Sequence, residues 1–262
     1  MNSNRGDIFL NINKCLIPQD GNVCLRYYKS LAELAKYILK ANTGLEQNIR
    51  ICTSKNIPFV EAVMYMIGRP DSSWSICENG CVFYKPTTKE ILVNPEITEE
   101  IIKLFAWIKK KIVPQILLQY PMLWFYPGNI VNISFMKKQW YTIDARILRK
   151  IIREKVRRYA RKKLLRVILT TDGIDIIPCH INKGSAIEFL AKDEGVDLKC
   201  SLGIGGSMSD ISFLNKMGMV GCPYNAVQIC KDFIKGRRGH VSLKLYTEGV
   251  IDVLNFFTGK RK

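Results

Sequence analysis

Apolar positions along this chain follow two periods in turn. Residues 8–12 form a short apolar run of strand type. Residues 30–39 then set Leu31, Leu34, Ala35 and Ile38 on one helical face. A second strand is predicted at 49–53, and Pro58 sits at the first-turn position of a helix running to Met66. A third strand is predicted at 73–77. The alternation returns late in the chain, with helices over 183–193, 210–216 and 250–257 and strands at 202–204 and 218–221. Strands alternating with helices predict an α/β fold built on a parallel sheet covered on both faces.

The middle of the chain breaks this rhythm. Residues 99–118 read as a helix interrupted at Pro114, 130–135 as a strand, and 143–165 as one long helix. Two further strands, 167–171 and 174–177, flank Asp172-Gly173, a hairpin-turn dipeptide. An α+β unit inserted over residues 82–177 is expected, with 1–81 and 178–262 forming one α/β body.

Charge sharpens the division. The 262 residues carry 40 Lys+Arg against 23 Asp+Glu, a net +17. The segment 82–177 holds 19 basic and 8 acidic residues, so most of the excess lies in the insert. Leu148 to Arg166 is densest, and Arg149, Arg153, Arg157, Arg158, Arg161 and Lys162 punctuate an apolar stripe. That face is either simply solvated or turned towards a polyanion such as nucleic acid or an RNA–protein assembly. Trp140 and Tyr141 precede it and could stack on bases.

Composition sets further bounds. An apolar content of 47% is that of a globular protein, and the most apolar region is broken by Lys109–Lys111 and Pro114, so no membrane association is expected. The polar N-terminus does not read as a secretory leader, and nine cysteines without a C-x-x-C pair read as reduced. The expected location is cytoplasmic.

Ligands of open α/β sheets sit at the carboxyl ends of the strands. Three motifs fall there: Thr53-Ser54-Lys55, Lys183-Gly184, and the glycine-rich turn Gly203 to Asp210. A strand-to-helix turn rich in glycine offers backbone N–H groups to an anion.

Taken in order, these motifs resemble those of the haloacid dehalogenase superfamily, especially its Cof-type branch of phosphoglycolate and sugar-phosphate phosphatases. Residues 11–16 stand where the family has D-x-D-G-T-L. Thr53-Ser54-Lys55 is similar to T-G-R, Glu78-Asn79-Gly80 to the E-N-G before the Cof-type cap, and Lys183-Gly184 to K-G-x-A. Gly205 to Asp210 is similar to G-D-S-x-x-D, Asn225-Ala226 to G-N-A, and Gly249-Val250 to the late G-V. The resemblance implies a Rossmannoid core with the insert as cap. It also implies an aspartyl-phosphate mechanism with magnesium.

The departures concern the chemistry. Asn11 occupies the nucleophile position, and an amide is a very poor nucleophile. Asn13 occupies the acid/base position and cannot shuttle a proton near neutral pH. Lys14 and Cys15 replace glycine and threonine, and Gly206 replaces the first acid of the fourth motif. Asp210 alone remains to hold a metal, with the other ligands lost at Asn11 and Gly206. The anion-holding residues Thr53, Lys183, Ser207 and Asn225 persist, and Lys14 adds a positive charge. Two readings follow. One is a non-catalytic, phosphatase-like protein with a residual anion pocket and no cofactor, binding nucleic acid through its basic cap. The alternative is a magnesium-dependent phosphatase of a small phosphorylated metabolite such as phosphoglycolate or a sugar phosphate.

Overall fold

In a computed structural model, which describes residues 6–18, 25–41, 48–68, 73–138, 144–170 and 173–259, the chain opens with β1 (Ile8–Leu10), α1 (Leu25–Ala41), β2 (Ile49–Ile51), α2 (Ile57–Met66) and β3 (Ser75–Cys77). The middle contains β4 (Val82–Lys85), β5 (Glu90–Val93), α3 (Glu99–Lys111), α4 (Val113–Gln119), β6 (Leu123–Phe125), β7 (Ile133–Lys137), α5 (Ala145–Lys155), α6 (Arg157–Arg161), β8 (Leu165–Leu169) and β9 (Gly173–Pro178). The last part runs α7 (Lys183–Glu194), β10 (Leu202–Ile204), α8 (Ile211–Leu214), β11 (Met219–Cys222), α9 (Gln228–Gly236), β12 (His240–Val241) and α10 (Tyr246–Thr258).

Five strands form a parallel sheet in the order β12-β11-β10-β1-β2. β1 lies in its interior, with Ile8 opposite both Leu202 and Ile49. Its three residues are all buried, as are those of β2 and β10. This is the continuous apolar signature of strands covered on both faces. The carboxyl ends of β1, β2 and β10 lead to Asn11, Thr53 and the 205–210 turn, so the three motifs meet at one edge of the sheet.

The inserted segment builds a second sheet, antiparallel, in the order β6-β7-β9-β8. Phe105, Ile108 and Ile116 from α3 and α4, and Leu148 and Ile152 from α5, share a core with its Ile133, Phe135, Val167 and Ile174. Arg166, Ile168 and Ile177, on the other face, border a cavity shared with the parallel-sheet core.

Several sequence expectations are corrected. β3 pairs antiparallel with β4, and β4 with β5, so it belongs to a three-stranded sheet and not to the parallel one. Its link to the core segment is the parallel bridge Cys52↔Ile76. Backbone pairing therefore continues across the expected boundary between residues 81 and 82. The helix expected over 143–165 is two helices, broken at Val156 (φ −112°, ψ 11°), and Leu165 already pairs with Pro178 in the sheet. The strand expected at 130–135 starts at Ile133, because the amides of 130–132 are drawn off to the Glu78 carboxylate. β6, α9, β12 and the β4–β5 hairpin were not predicted. Trp140, Tyr141 and Asp172 lie outside the described residues. Among the described residues no helix is long and apolar enough to cross a membrane.

The Glu78-Asn79-Gly80 turn ties cap to core. The buried Glu78 carboxylate accepts from the amides of Ile130 (2.6 Å), Val131 and Asn132 (both 2.9 Å). A buried carboxylate needs such partners to offset its lost hydration. Asn79 Nδ2 donates to Asp175 of β9 at 3.0 Å. Gly80, at φ 102°, lies so close to the Asn182 carbonyl that a Cβ would approach it to 2.6 Å.

Candidate functional site between the two sheets

Asp210 is the centre of the site and is fully buried. Its Oδ1 accepts from Lys183 Nζ at 2.6 Å. Its Oδ2 accepts from Asn11 Nδ2, from the Gly206 and Ser207 amides and from Ser207 Oγ, each at 2.8 Å. A carboxylate offers about four lone-pair directions over its two oxygens. Four of the five donors crowd Oδ2, while Oδ1 accepts from Lys183 alone.

Asn11 is the neutral link in this network. Its Nδ2 faces the Asp210 carboxylate and its Oδ1 accepts from Lys183 Nζ at 3.2 Å. The reverse amide orientation would set oxygen against carboxylate and N–H against ammonium. Asn11 Nδ2 also donates to the Asn13 carbonyl at 3.2 Å. An aspartate here would place a second negative charge against Asp210 in a buried site.

Lys14 adopts a left-handed conformation, φ 62°. A Cβ built on Gly206 would come within 2.9 Å of Lys14 Cβ. That contact is with an atom next to the backbone, so it cannot swing away. Lys14 and Gly206 thus fit one another, and a carboxylate side chain at 206 does not fit beside Lys14.

These facts bear on magnesium, which wants several hard, mostly anionic oxygen ligands. The surviving carboxylate is occupied on both oxygens, its neighbours are an amide and a glycine, and the space for an acid at 206 is taken. The residues present do not fit the ion. Among the described residues no group of three or more His, Cys, Asp or Glu is arranged to hold a metal. Cys15, in the same loop, is no substitute nucleophile: burial pushes its thiol well up, the nearby Asp210 charge adds to the shift, and the thiolate is suppressed.

The other sequence candidates divide. Lys183 opens α7, whose first turn is capped by Asn182. Two of the three Nζ donors of Lys183 are engaged by Asn11 and Asp210. Thr53 is fully buried, and its Oγ1 accepts from the Lys55 amide at 3.2 Å. Ser207 serves Asp210 rather than an open anion hole. Asn225 is corrected in the same way: its Nδ2 donates to the Lys14 carbonyl and its Oδ1 accepts from the Tyr246 amide. It fastens the first loop to α10.

A cavity of about 450 Å³ opens beside Lys183, lined by Asn182, Met208, Ser209 and Ser212 of the core and by Asn79, Arg149, Arg166, Ile168, Leu169 and Ile177. Sequence reasoning missed Arg166 and Asn79 as site residues. Both were in view, Arg166 within the basic segment and Asn79 in the E-N-G turn, but only the sheet face shows where they point. Arg149 was placed with the outer basic face; it borders the cavity instead, its Nε donating to the Val167 carbonyl at 3.1 Å. Arg153, Arg157, Arg158, Arg161 and Lys162 are exposed. Arg157 pairs with Glu154 at 3.4 Å.

The sequence of this chain matches the model of a haloacid dehalogenase-like hydrolase family over residues 135–254. It is 21% identical over 248 residues to a phosphoglycolate phosphatase of Methanobrevibacter smithii, covering 95% of this chain and 99% of that protein. The sucrose-phosphatase of Synechocystis, solved with sucrose and phosphate, has a similar fold at TM-score 0.68 and 13% identity, covering 98% of this chain and 99% of that one. The C-terminal domain of C. albicans trehalose-6-phosphate phosphatase is similar at TM-score 0.67 and 16% identity, covering 99% and 94%. The family match runs through the Lys183 and Asp210 motifs, the likeness to the Methanobrevibacter protein runs nearly the length of both sequences, and the fold is that of haloacid dehalogenase-like hydrolases.

Proposed function

We propose that this phosphatase-like protein takes a small phosphate ester into the cavity between core and cap, and holds it without magnesium rather than splitting it. The carrying observation is Asp210, both of whose oxygens accept from groups of the protein itself, with neutral Asn11 among the donors. Splitting needs a nucleophile and a proton shuttle, and amides at 11 and 13 supply neither. Binding needs positive charge and a donor, which the third Nζ hydrogen of Lys183 at the cavity wall supplies.

A second reading, a magnesium-dependent phosphatase of a phosphorylated metabolite, has the backing of the full-length likeness to a phosphoglycolate phosphatase. The comparisons favour it over a non-catalytic protein and over nucleic-acid binding, for which the exposed cations of α5 and α6 are the supporting observation.

One pair of assays separates the two readings of the pocket. Thermal unfolding should show stabilisation by inorganic phosphate and by glycerol 3-phosphate in EDTA, and none by magnesium alone when the chelator is left out. Hydrolysis of an aryl phosphate should be absent with or without magnesium. Magnesium-dependent turnover that disappears in Asp210→Asn would overturn the proposal in favour of the phosphatase reading.

A further inference from the structure

The cations of α6 meet an aromatic side chain from a distant part of the chain. Trp107 of α3 is 45% exposed. Its indole meets the ring of Tyr159 on α6 edge to face, with centroids 5.9 Å apart and planes at 65°. The Arg158 guanidinium lies over the same tyrosine ring, 5.3 Å from its centroid. None of these three residues borders the cavity beside Lys183.

Positive charge surrounds the group. At about 100° per residue, Lys103, Lys110 and Lys111 fall within about 60° of Trp107 around the α3 axis. All three are exposed, as are Arg158, Arg161 and Lys162. Glu99 is matched by Lys103 at 2.8 Å and Glu154 by Arg157 at 3.4 Å. Glu100 lies two turns back from Trp107, about 10 Å along the axis. Among the described residues no carboxylate pairs with Lys110, Lys111, Arg158, Arg161 or Lys162. Such a field attracts a polyanion.

The indole decides which polyanion fits. A helix that lies on a membrane shows several apolar side chains along one face. Trp107 instead shares its face with cations, and the other exposed large apolar residue of α3, Ile102, lies about 140° away around the axis. A nucleic acid duplex hides its base faces within the stack. An unpaired base offers both faces, and a half-exposed indole among phosphate-binding cations suits it.

We propose that Trp107, braced by Tyr159 and Arg158, stacks on an unpaired base of single-stranded nucleic acid, while Lys110, Lys111, Arg161 and Lys162 hold the flanking phosphates. This surface is separate from the cavity and stands with either reading of the pocket.

The experiment is fluorescence anisotropy with a labelled single-stranded RNA of about a dozen nucleotides and with a duplex of the same length. The single strand should quench the tryptophan fluorescence of the wild-type chain. Trp107→Ala should weaken single-strand binding about tenfold, the loss expected of one stacked base, and leave its salt dependence unchanged. Its affinity for the duplex should stay within about twofold. Lys110→Gln/Lys111→Gln should instead lower the salt slope by about 1.4, at about 0.7 per phosphate. Trp107→Phe keeps a stacking ring, so it should hold single-strand affinity within about threefold and lose the quenching. That variant keeps the test valid if Trp107→Ala fails to fold. A Trp107→Ala chain that loses affinity for both nucleic acids alike, or for neither, overturns the proposal. So does a wild-type chain that ignores the RNA and binds phosphatidylserine vesicles through Trp107. The proposed function is judged separately, by phosphate-ester binding, which none of these variants should change.

Discussion

At Asn11 a single atom changes the character of the site. An aspartate there would repel Asp210 and leave both carboxylates seeking cations. The amide instead donates to Asp210 and accepts from Lys183, so the cluster is complete by itself. Lys14 and Gly206 add a steric lock, since a Cβ at 206 would meet Lys14 Cβ at 2.9 Å. The variant Asn11→Asp/Asn13→Asp/Gly206→Asp restores the family's carboxylates but overpacks this contact, at a cost of about 1–3 kcal/mol. Adding Lys14→Gly should recover that stability and bring magnesium-dependent turnover that the triple variant lacks. Thermal unfolding and aryl phosphate hydrolysis of the two variants decide the matter. Equal unfolding midpoints would mean that the loop yields and no lock exists.

Elements meet at Glu78-Asn79-Gly80, where each residue fastens a different part of the cap or core. Burial pushes the Glu78 carboxyl above its usual range, against the opposing pull of the amides of 130, 132 and 131. Folding therefore favours its neutral form. That contribution is full in acid and is lost as pH rises through the folded pKa. In Glu78→Gln this titration is gone. The stability of the wild-type chain relative to the variant should be greatest near about pH 4 and shrink towards about pH 7. Denaturant unfolding at both pH values measures it, and a difference that grows with pH would refute the assignment. The same carboxylate explains why β7 begins three residues later than its apolar pattern predicts. Amides bound to Glu78 are lost to a strand ladder, and nothing in the local sequence records a partner 52 residues away.

On the scale of the whole molecule, net charge +17 surrounds a buried Asn11–Lys183–Asp210 cluster. Arg153, Arg157, Arg158 and Arg161 on α5 and α6 and Lys162 just beyond face solvent, while the exposed Arg149 also borders the cavity. Two electrostatic surfaces thus arise from one basic segment. Attraction of RNA to the outer face should be sequence-independent and fall steeply with salt, by about 0.7 in log–log slope per phosphate contact. Arg157→Glu/Arg158→Glu/Arg161→Glu should abolish it without changing phosphate-ester affinity, as read by fluorescence anisotropy and calorimetry. Retention that ignores salt would exclude a polyanion surface of this kind.

The sequence alone determined the α/β class and the positions of the three motifs. Parallel strands buried on both faces leave unbroken apolar runs such as 8–10, and the chemistry at positions 11, 13, 183 and 210 is a matter of residue identity. It also indicated an insert of different rhythm and excess charge. Tertiary structure decided the rest. Alternation places β3 beside β2 in the parallel sheet; it keeps only the parallel bridge Cys52↔Ile76 there and takes its ladder from β4, because a strand's partners are chosen by what packs beside it. The long helix of 143–165 was read from a stripe that two shorter helices present equally well. Asn225 and Ser207 kept the family's residue types while their polar groups turned inward, to Lys14, Tyr246 and Asp210. Arg166 became a site residue only because β8 turns that side chain towards the core. Spacing along a chain specifies which face a residue shares; what that face meets is set by contacts between residues far apart in sequence.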